Sequence, residues 1–348
     1  MRFLPVAVLA ALLLAACSTP QPVGTRVPGY VFGTDTTAQE IVPIDSSTFN
    51  FMIVGDWGRN GFFNQSEVAN GMGDVGARIG SRFTVSTGDN FYTAGVTSTE
   101  DPKWVRSFEA VYTAPALQSR WYSVLGNHDW MGDVPAQIQY SQQSDRWYMP
   151  AQYYAETMTL DDATDERPAT RVLMVFLDTT PLATSADRRD RFSDSGVWDV
   201  DDQMAWFERT LAGSDADWKL VFGHHPIYVG STSYSDNATL IERLVPLLNR
   251  YGVQAYICGH DHNLQHHRPP GSPVDYFVSG AGSLTREVIQ TPNTLFAYRS
   301  PGFMAASLTR DHMIMRSFSE SGQYLYSADV PRARGPRVPL PFGLGDGP

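Results

Sequence analysis

The chain has 348 residues, of which 42% are hydrophobic and 18% charged, a composition that predicts a globular protein with room for one large domain. The formal net charge is −11 at pH 7. A nucleic acid needs a basic protein surface, so we expect no nucleic-acid binding. The charge does not exclude a small phosphorylated substrate, because binding of such a molecule depends on the local field at the site.

The N-terminal residues predict an export signal. Arg2 precedes a short apolar run over residues 4–14, and small residues lead from it to Cys17. Crossing a bilayer takes about 20 residues, so this run is too short to span one, and it indicates a secretory signal instead. Residues 14–17, with the sequence LAAC, are similar to the lipobox of bacterial lipoproteins, in which the cysteine carries the lipid. We therefore expect a signal peptide over 1–17, a lipid anchor at Cys17 and a membrane-anchored protein of the bacterial cell envelope, periplasmic or at the surface. An ordinary signal peptide with a chance cysteine is the alternative.

Composition also divides the rest of the chain. Residues 18–48 are rich in Thr, Pro, Gly and Ser and predict a flexible tether. The folded domain is expected over 49–330, followed by a disordered Pro/Gly-rich tail over 331–348. Cys17 and Cys258 are the two cysteines, so lipidation of the first would leave the second without a partner. Cys258 is predicted to be a small buried residue at the end of a strand.

Short, nearly unbroken apolar runs predict strands that are buried on both faces of a sheet. The runs are 49–54, 83–86, 121–125, 172–177, 219–222, 253–257 and 276–278, then 303–308, 313–318 and 324–328, which predict a meander. Helical spacing of apolar residues predicts helices over 201–211 and 239–251, the second stopped by Gly252. Weaker helical patterns cover 64–79, where Gly71 and Gly73 interrupt the pattern, and 101–112.

Polar residues follow five predicted strands at glycine-flanked turns. The blocks are GDWG at 55–58, GDNFY at 88–92, GNHD at 126–129, GHHP at 223–226 and GHDHN at 259–263. Cleaving a phosphomonoester requires a nucleophile and stabilisation of the phosphoryl charge, and two neighbouring metal ions supply both. Binding two ions requires a bridging carboxylate and ligands from several elements. The residues that match this requirement are Asp56, Asp89, Asn127, His224, His260 and His262.

The five blocks, in this order, resemble the metallophosphoesterase superfamily and within it the purple acid phosphatases, of the compact type also called tartrate-resistant acid phosphatase. The resemblance runs from about Phe49 to Ser283. It implies an α/β fold (α+β by some schemes), a four-layer αββα sandwich of two mixed sheets. It also implies an acid phosphatase that hydrolyses phosphate monoesters by in-line attack of a metal-bound hydroxide. A metallophosphoesterase acting on phosphodiesters or nucleotides and a non-enzymatic phosphate-binding envelope lipoprotein remain the alternatives.

The resemblance also implies a ligand set. Fe³⁺ would be bound by Asp56, Asp89, Tyr92 and His262, and a divalent Fe, Zn or Mn by Asp89, Asn127, His224 and His260, so that Asp89 bridges the ions. A tyrosine ligand separates purple acid phosphatases from other metallophosphoesterases, and a hard trivalent cation prefers an anionic oxygen. The alternative for Tyr92 is a tyrosine that packs at the rim of the site.

Two further histidines are predicted to contact substrate. His128 would bind the phosphoryl oxygen and protonate the leaving alcohol, or else only orient its neighbours. His225 stands where tyrosine is commonest in the family, and it would either donate to phosphate or pack beneath the metals. His266 and His267 are expected in a solvated loop, with a position at the rim of the cleft as the alternative. The physiological substrate and the oligomeric state stay open.

Two acidic residues around these blocks are expected to be structural. Asp129 and Asp178 are predicted to support loops through hydrogen bonds rather than to bind metal. The Asp- and Arg-rich segment 183–198 lies where relatives of this type carry a regulatory loop over the cleft.

Overall fold

The computed structural model describes residues 48–332, with the exception of 162–163, 165–167 and 184–198. The predicted signal peptide, almost all of the predicted tether, the segment after residue 183 and the predicted tail from residue 333 lie outside the described residues. Their predictions therefore stay predictions.

Two seven-stranded sheets form the centre of the described part. The strands of the first are β1 (Phe49–Val54), β2 (Thr84–Ser86), β3 (Trp121–Ser123), β4 (Trp147–Tyr148), β12 (Gly302–Leu308), β13 (His312–Ser319) and β14 (Tyr324–Pro331). Those of the second are β5 (Tyr154–Thr159), β6 (Arg171–Phe176), β7 (Trp218–Phe222), β8 (Ala255–Cys258), β9 (Leu264–His267), β10 (Asp275–Ser279) and β11 (Thr294–Tyr298). The first sheet has the order β14-β13-β12-β1-β2-β3-β4, and the second has the order β11-β9-β10-β8-β7-β6-β5.

Both sheets are mixed, as predicted. In the first sheet β1, β2, β3 and β4 run parallel, while the meander β12–β13–β14 joins β1 antiparallel. In the second sheet β6, β7, β8 and β10 run parallel, while β5 and β9 pair antiparallel with their neighbours. The carboxyl ends of parallel strands meet at one edge of a sheet. The turns after β1, β2 and β3, and those after β7 and β8, therefore lie close together in space.

The faces of the strands explain the layered packing. Side chains alternate along a strand, so on β6 Met174 and Phe176 point into the core between the sheets, while Val175 points to the helices outside. The ring of Phe51 on β1 meets that of Phe222 on β7, with 6.3 Å between centroids, and joins the two sheets. One continuous apolar cluster therefore fills the space between them.

Helices cover both outer faces and complete the predicted αββα sandwich. They are α1 (Gln65–Ile79), α2 (Val134–Tyr140), α3 (Thr179–Ala183), α4 (Val200–Ala212) and α5 (Ala238–Arg250), with a π-helix at Trp104–Glu109 in the segment predicted as a helix over 101–112. Asp199 and Asn237 cap α4 and α5 by accepting hydrogen bonds from backbone N–H groups of the first turn. Within the described residues, no helix is both long enough and apolar enough to cross a membrane.

Helix α1 forms despite the two glycines that weaken its sequence pattern. It covers the outer face of the first sheet, where Asn50 on β1 donates a hydrogen bond to the carbonyl of Ile79. A Cβ atom at Gly71 would overlap the carbonyl of Glu320 in the β13–β14 turn. The glycine therefore permits close approach of the helix to the sheet, and tertiary packing outweighs its low helix propensity.

The prediction for His266 and His267 is wrong. Both lie on β9, a strand that the sequence pattern did not indicate, and both are buried. His266 lies between Asp275 and Tyr326, with its Nε2 2.6 Å from Asp275 Oδ1 and its Nδ1 2.9 Å from Tyr326 Oη. His267 Nε2 lies 2.5 Å from Gln265 Oε1. A buried polar group is tolerated where it is hydrogen-bonded, and these partners allow two histidines to lie in a buried strand. Cys258, in contrast, is buried at the end of β8 as predicted.

Candidate metal centre

Seven side chains converge where the turns of the two sheets meet. The turns after β1, β2 and β3 supply Asp56, Asp89, Tyr92 and Asn127, and the turns after β7 and β8 supply His224, His260 and His262. These are the seven residues predicted as ligands, and the fold brings all of them together. They form two neighbouring groups, named here the Tyr92 cluster and the His224 cluster.

The Tyr92 cluster consists of Tyr92, Asp56, His262 and one oxygen of Asp89. The phenol oxygen of Tyr92 lies 3.0 Å from Asp56 Oδ1, 2.8 Å from Asp89 Oδ2 and 3.1 Å from His262 Nε2. His262 Nε2 lies 3.3 Å from Asp56 Oδ1. Four possible donor atoms thus surround one small volume.

The His224 cluster consists of His224, Asn127, His260 and the other oxygen of Asp89. His224 Nε2 lies 3.2 Å from Asn127 Oδ1, 3.2 Å from His260 Nδ1 and 3.4 Å from Asp89 Oδ1. The two carboxylate oxygens of Asp89 therefore face different clusters, Oδ2 towards Tyr92 and Oδ1 towards His224. This is the placement that a carboxylate shared by two ions requires.

Unusual backbone conformations place three of these residues. Asp56, Asp89 and His260 have φ values of 61°, 49° and 69°, in the left-handed region that residues with a side chain seldom adopt. Such strained residues cluster at functional sites, where the surrounding structure holds them. At Gly126 a Cβ atom would overlap the backbone nitrogen and Oδ1 of Asp89, so the glycine before Asn127 allows the two turns to touch.

Backbone and hydroxyl groups behind the predicted ligands fix the orientation of the His224 ring. His224 Nδ1 lies 2.9 Å from the carbonyl of Thr87. A carbonyl only accepts, so Nδ1 carries a proton and Nε2 is the ring atom that faces the cluster and could bind a metal. The Thr179 hydroxyl oxygen accepts from the backbone N–H groups of His224 and His225. No sequence motif indicated these roles of Thr87 and Thr179.

Asp129 and Asp178 support the site from behind, as predicted. Asp129 accepts hydrogen bonds from the backbone N–H groups of Asn90 and Gly126 and so joins the turns after β2 and β3. Burial, with the charge of Asp89, raises the pKa of Asp129 to about 7. Asp178 accepts from Trp130 Nε1 and Gln152 Nε2, and burial raises its pKa to about 7. Neither carboxylate belongs to a cluster.

Burial and neighbouring charges set the protonation states of the residues in the two clusters. Burial, together with the charges of Asp56 and Asp89, raises the pKa of the Tyr92 phenol well above its usual value. Burial would also raise the pKa of Asp56, but hydrogen bonding to His262 and the positive field of His224 outweigh it and lower the pKa. Burial and the neighbouring imidazoles lower the pKa of His260 well below its usual value. Without metal the Tyr92 oxygen is thus a phenol, and the His260 ring is neutral, the form that binds metal.

The two predicted substrate contacts lie beside the clusters. The side chain of His128 is 28% exposed, and its Nε2 lies 3.9 Å from Asp89 Oδ2. His225 packs against His260, with 4.5 Å between ring centroids, and its Nδ1 lies 3.1 Å from the Thr179 hydroxyl. Burial and the charge of His224 lower the pKa of His225 well below its usual value, so this ring is neutral.

Two arginines near the clusters have no counterpart among the predicted residues. The guanidinium of Arg59 lies over the Tyr92 ring, with Cζ 3.6 Å from the ring centroid. Arg286 donates from Nη1 to the hydroxyl of Tyr234, whose ring packs on His260 with 4.4 Å between centroids. Arginine is common on protein surfaces, so neither position stands out before the fold is known.

Comparison with known proteins agrees with this geometry. The family model described as calcineurin-like phosphoesterase matches residues 49–264. Purple acid phosphatase 17 of Arabidopsis thaliana is 38% identical over 293 residues, which cover 80% of this chain and 82% of the relative. Tartrate-resistant acid phosphatase type 5 of Oryctolagus cuniculus is 34% identical over 306 residues, which cover 82% of this chain and 91% of the relative.

Solved structures share the fold. GAP50, described as the anchor in the inner membrane complex of Plasmodium, superposes with a TM-score of 0.72 at 24% identity and covers 82% of this chain and 90% of its own. A purple acid phosphatase from yellow lupin (Lupinus luteus) seeds superposes with a TM-score of 0.60 at 16% identity, covering 88% of this chain and 58% of its own. At these identities the two structures show the fold alone. The family match and the sequence relatives show more: the chain belongs to the calcineurin-like phosphoesterases and, among them, to the purple acid phosphatases, which are dinuclear-metal hydrolases of phosphoric monoesters.

Proposed function

We propose that this acid phosphatase binds a ferric ion in the Tyr92 cluster and a divalent ion in the His224 cluster. The main support is the placement of Asp89, whose Oδ2 lies 2.8 Å from the Tyr92 oxygen and whose Oδ1 lies 3.4 Å from His224 Nε2. The donor types fit both ions. Two carboxylates, a phenol and an imidazole suit a hard trivalent cation, and the amide oxygen and two imidazoles of the His224 cluster suit Fe²⁺, Zn²⁺ or Mn²⁺.

The charge of the site favours a phosphate monoester. When bound, the two ions supply positive charge for the phosphoryl oxygens and lower the pKa of coordinated water. Asp56, Asp89 and the Tyr92 phenolate contribute three negative charges against five positive ones, so the centre has a net positive charge inside an acidic protein. A monoester dianion gains more from that field than a diester, which carries one negative charge.

His128 is proposed as the residue that protonates the leaving alcohol. Its Nδ1 lies 2.5 Å from the carbonyl of Thr93. Because a carbonyl only accepts, Nδ1 carries a proton, and Nε2 is the atom that can gain or lose one on the exposed side of the ring. In the imidazolium form Nε2–H can donate to the oxygen of a leaving alcohol. His225 Nδ1 is hydrogen-bonded to the hydroxyl of Thr179, which leaves Nε2 as the ring atom that could contact phosphate. We propose that the main role of the His225 ring is to support His260.

Comparing an aryl phosphate monoester with its bis-aryl diester tests the substrate class. We expect kcat/KM for the monoester to be at least about 10-fold higher, a difference of about 1.4 kcal/mol in transition-state stabilisation. The measurement uses the metal-loaded protein and follows release of the same phenol from both esters. A higher kcat/KM for the diester would contradict the proposal and favour a diesterase.

Replacing His128 by Ala separates its two possible roles. If Nε2 protonates the leaving group, we expect kcat for an alkyl phosphate to fall by about 10²-fold or more, because an alkoxide is a poor leaving group. For p-nitrophenyl phosphate the loss should be much smaller, since p-nitrophenolate leaves without a proton. The matched control is His312→Ala, which changes a histidine that is paired with Asp329 at the start of β13. Equal losses on both substrates would assign His128 to phosphate binding instead.

The export signal is a separate proposal. The N-terminal sequence supports an exported, lipid-anchored protein of the bacterial envelope, with Cys17 as the lipidated residue. Mass spectrometry of the mature N-terminus, together with release of the protein from membranes in a Cys17→Ala variant, tests it.

A further inference from the structure

Arg59 follows the GDWG block directly, and tertiary contacts fix its guanidinium. Its Nε donates to the hydroxyl of Ser283 at 3.0 Å, and that hydroxyl in turn donates to the backbone carbonyl of Asp56. At the other end of the residue, its backbone N–H donates to Gln65 Oε1 at 2.9 Å. Arg59 thus connects the turn after β1 to the segment after β10, and its position depends on both sheets.

The guanidinium covers one side of the Tyr92 ring. Its Cζ lies 3.6 Å from the ring centroid, the distance of a stacked cation–π contact. The hydroxyl of the same ring points towards Asp56 and Asp89. The positive charge of Arg59 therefore lies directly over the ring whose hydroxyl belongs to the Tyr92 cluster. Tyr92 itself is buried, so little solvent screens this contact.

We propose that Arg59 is a positioning residue that holds the Tyr92 ring and tunes the electronic properties of the ferric ion bound to it. This inference rests on the proposed function, in which Tyr92 binds iron as a phenolate. A planar guanidinium over an aromatic face stabilises the filled π orbitals of the ring. Charges close to a metal site also shift its reduction potential, because the reduced ion carries one positive charge less.

Two measurable consequences follow from that charge. The visible colour of a ferric phenolate comes from transfer of an electron from the phenolate π orbitals to the iron. Arg59 contacts the ring that carries the donor orbitals, with Cζ 3.6 Å from its centroid. Its charge would therefore stabilise the donor orbitals more than the acceptor orbitals of the iron and raise the energy of the transition. It also raises the Fe³⁺/Fe²⁺ reduction potential, because a nearby positive charge favours the less positive metal.

The experiment compares variants of the iron-loaded full-length protein. Arg59→Gln removes the charge and keeps a planar hydrogen-bond donor, and Arg59→Lys keeps the charge. We expect the absorption band of R59Q to move to longer wavelength and its reduction potential to fall, with R59K closer to wild type in both. Arg250→Met, which removes an exposed arginine at the end of α5, is the control and should leave both unchanged. Tyr92→Phe assigns the band and should abolish it.

The outcomes distinguish this inference from the proposed function. One outcome is that Y92F abolishes the wild-type band, while R59Q at equal iron content keeps both the wavelength of the band and the reduction potential of the iron. That outcome overturns the role of Arg59 and leaves Tyr92 as the ligand. Equal shifts in R59Q and R59K also overturn it, because they would show an effect of shape and not of charge. An iron-loaded wild type without the band, or a Y92F variant that retains it, contradicts iron binding by Tyr92 itself. If R59Q does not fold, Arg59→Met removes the same charge and is measured in its place.

Discussion

Replacing Asp89 by Asn is expected to lower kcat for an aryl phosphate by at least about 10³-fold, equivalent to about 4 kcal/mol of transition-state stabilisation. The two carboxylate oxygens of Asp89 face the two clusters, so a neutral amide removes the one negative charge that both ions would share. Asparagine has nearly the same shape, and its Oδ1 can still accept from the backbone N–H of His128. The fold should therefore survive, while metal content falls together with activity.

Metal analysis and steady-state kinetics on the same samples check this result. Asp74→Asn is the matched control, because Asp74 is an exposed acid on α1 and the change in net charge is identical. The control should keep wild-type kcat and metal content. A D89N protein with normal activity and two bound metals would show that Asp89 does not bridge the ions.

The largest expected loss of stability comes from Trp57→Ala. Trp57 is fully buried, and its ring lies within 5.4–6.5 Å, between centroids, of five other aromatic rings on the outer side of the first sheet. Its Nε1 also donates to Ser86 Oγ at 2.8 Å. Truncation leaves a large cavity and removes the hydrogen bond to Ser86 Oγ, which still donates to Asn90 Oδ1, so we expect the free energy of unfolding to fall by about 3–5 kcal/mol.

Urea unfolding of the metal-free protein, followed by circular dichroism, measures the effect. Phe62→Ala removes another aromatic side chain from the segment after β1, but that side chain is 68% exposed, and we expect a change within about 0.5 kcal/mol. If Trp57→Ala does not fold, Trp57→Phe should show a smaller loss in the same direction. A W57A protein as stable as F62A would mean that the aromatic cluster is not part of the cooperative core.

The strands and the site could be predicted from the sequence to different extents. Long apolar runs such as 49–54 and 303–308 predicted their strands because burial on both faces leaves little room for polar residues. The pattern missed four strands: β4, β5, β9 and β11. Of these, β5 is a sheet-edge strand whose side chains are partly exposed, and β9 carries His266 and His267 in the core. Both depart from the apolar pattern because of where they lie in a sheet, and their neighbours are distant in sequence.

The site itself was more predictable than the fold around it. Each predicted ligand stands in a short block directly after a strand, and the chemistry of two metal ions restricts which residue types can occupy these positions. The resemblance to the purple acid phosphatases implied Asp89 as the bridging residue before its two oxygens were located. The supporting groups could not be selected in this way. Thr87 acts through a backbone carbonyl, which every residue has, and Thr179 and Ser283 are common residue types at unremarkable positions.

What the sequence determined by itself was the order of the five blocks, the types of donor atoms and the family to which they belong. The tertiary structure decided which oxygen of Asp89 faces which cluster, the left-handed backbone at Asp56 and His260, and the contact of Arg59 with Tyr92. The physical reason is sequence separation. Arg59 and Ser283 are 224 residues apart, and their hydrogen bond forms only when the turns of two different sheets pack against each other.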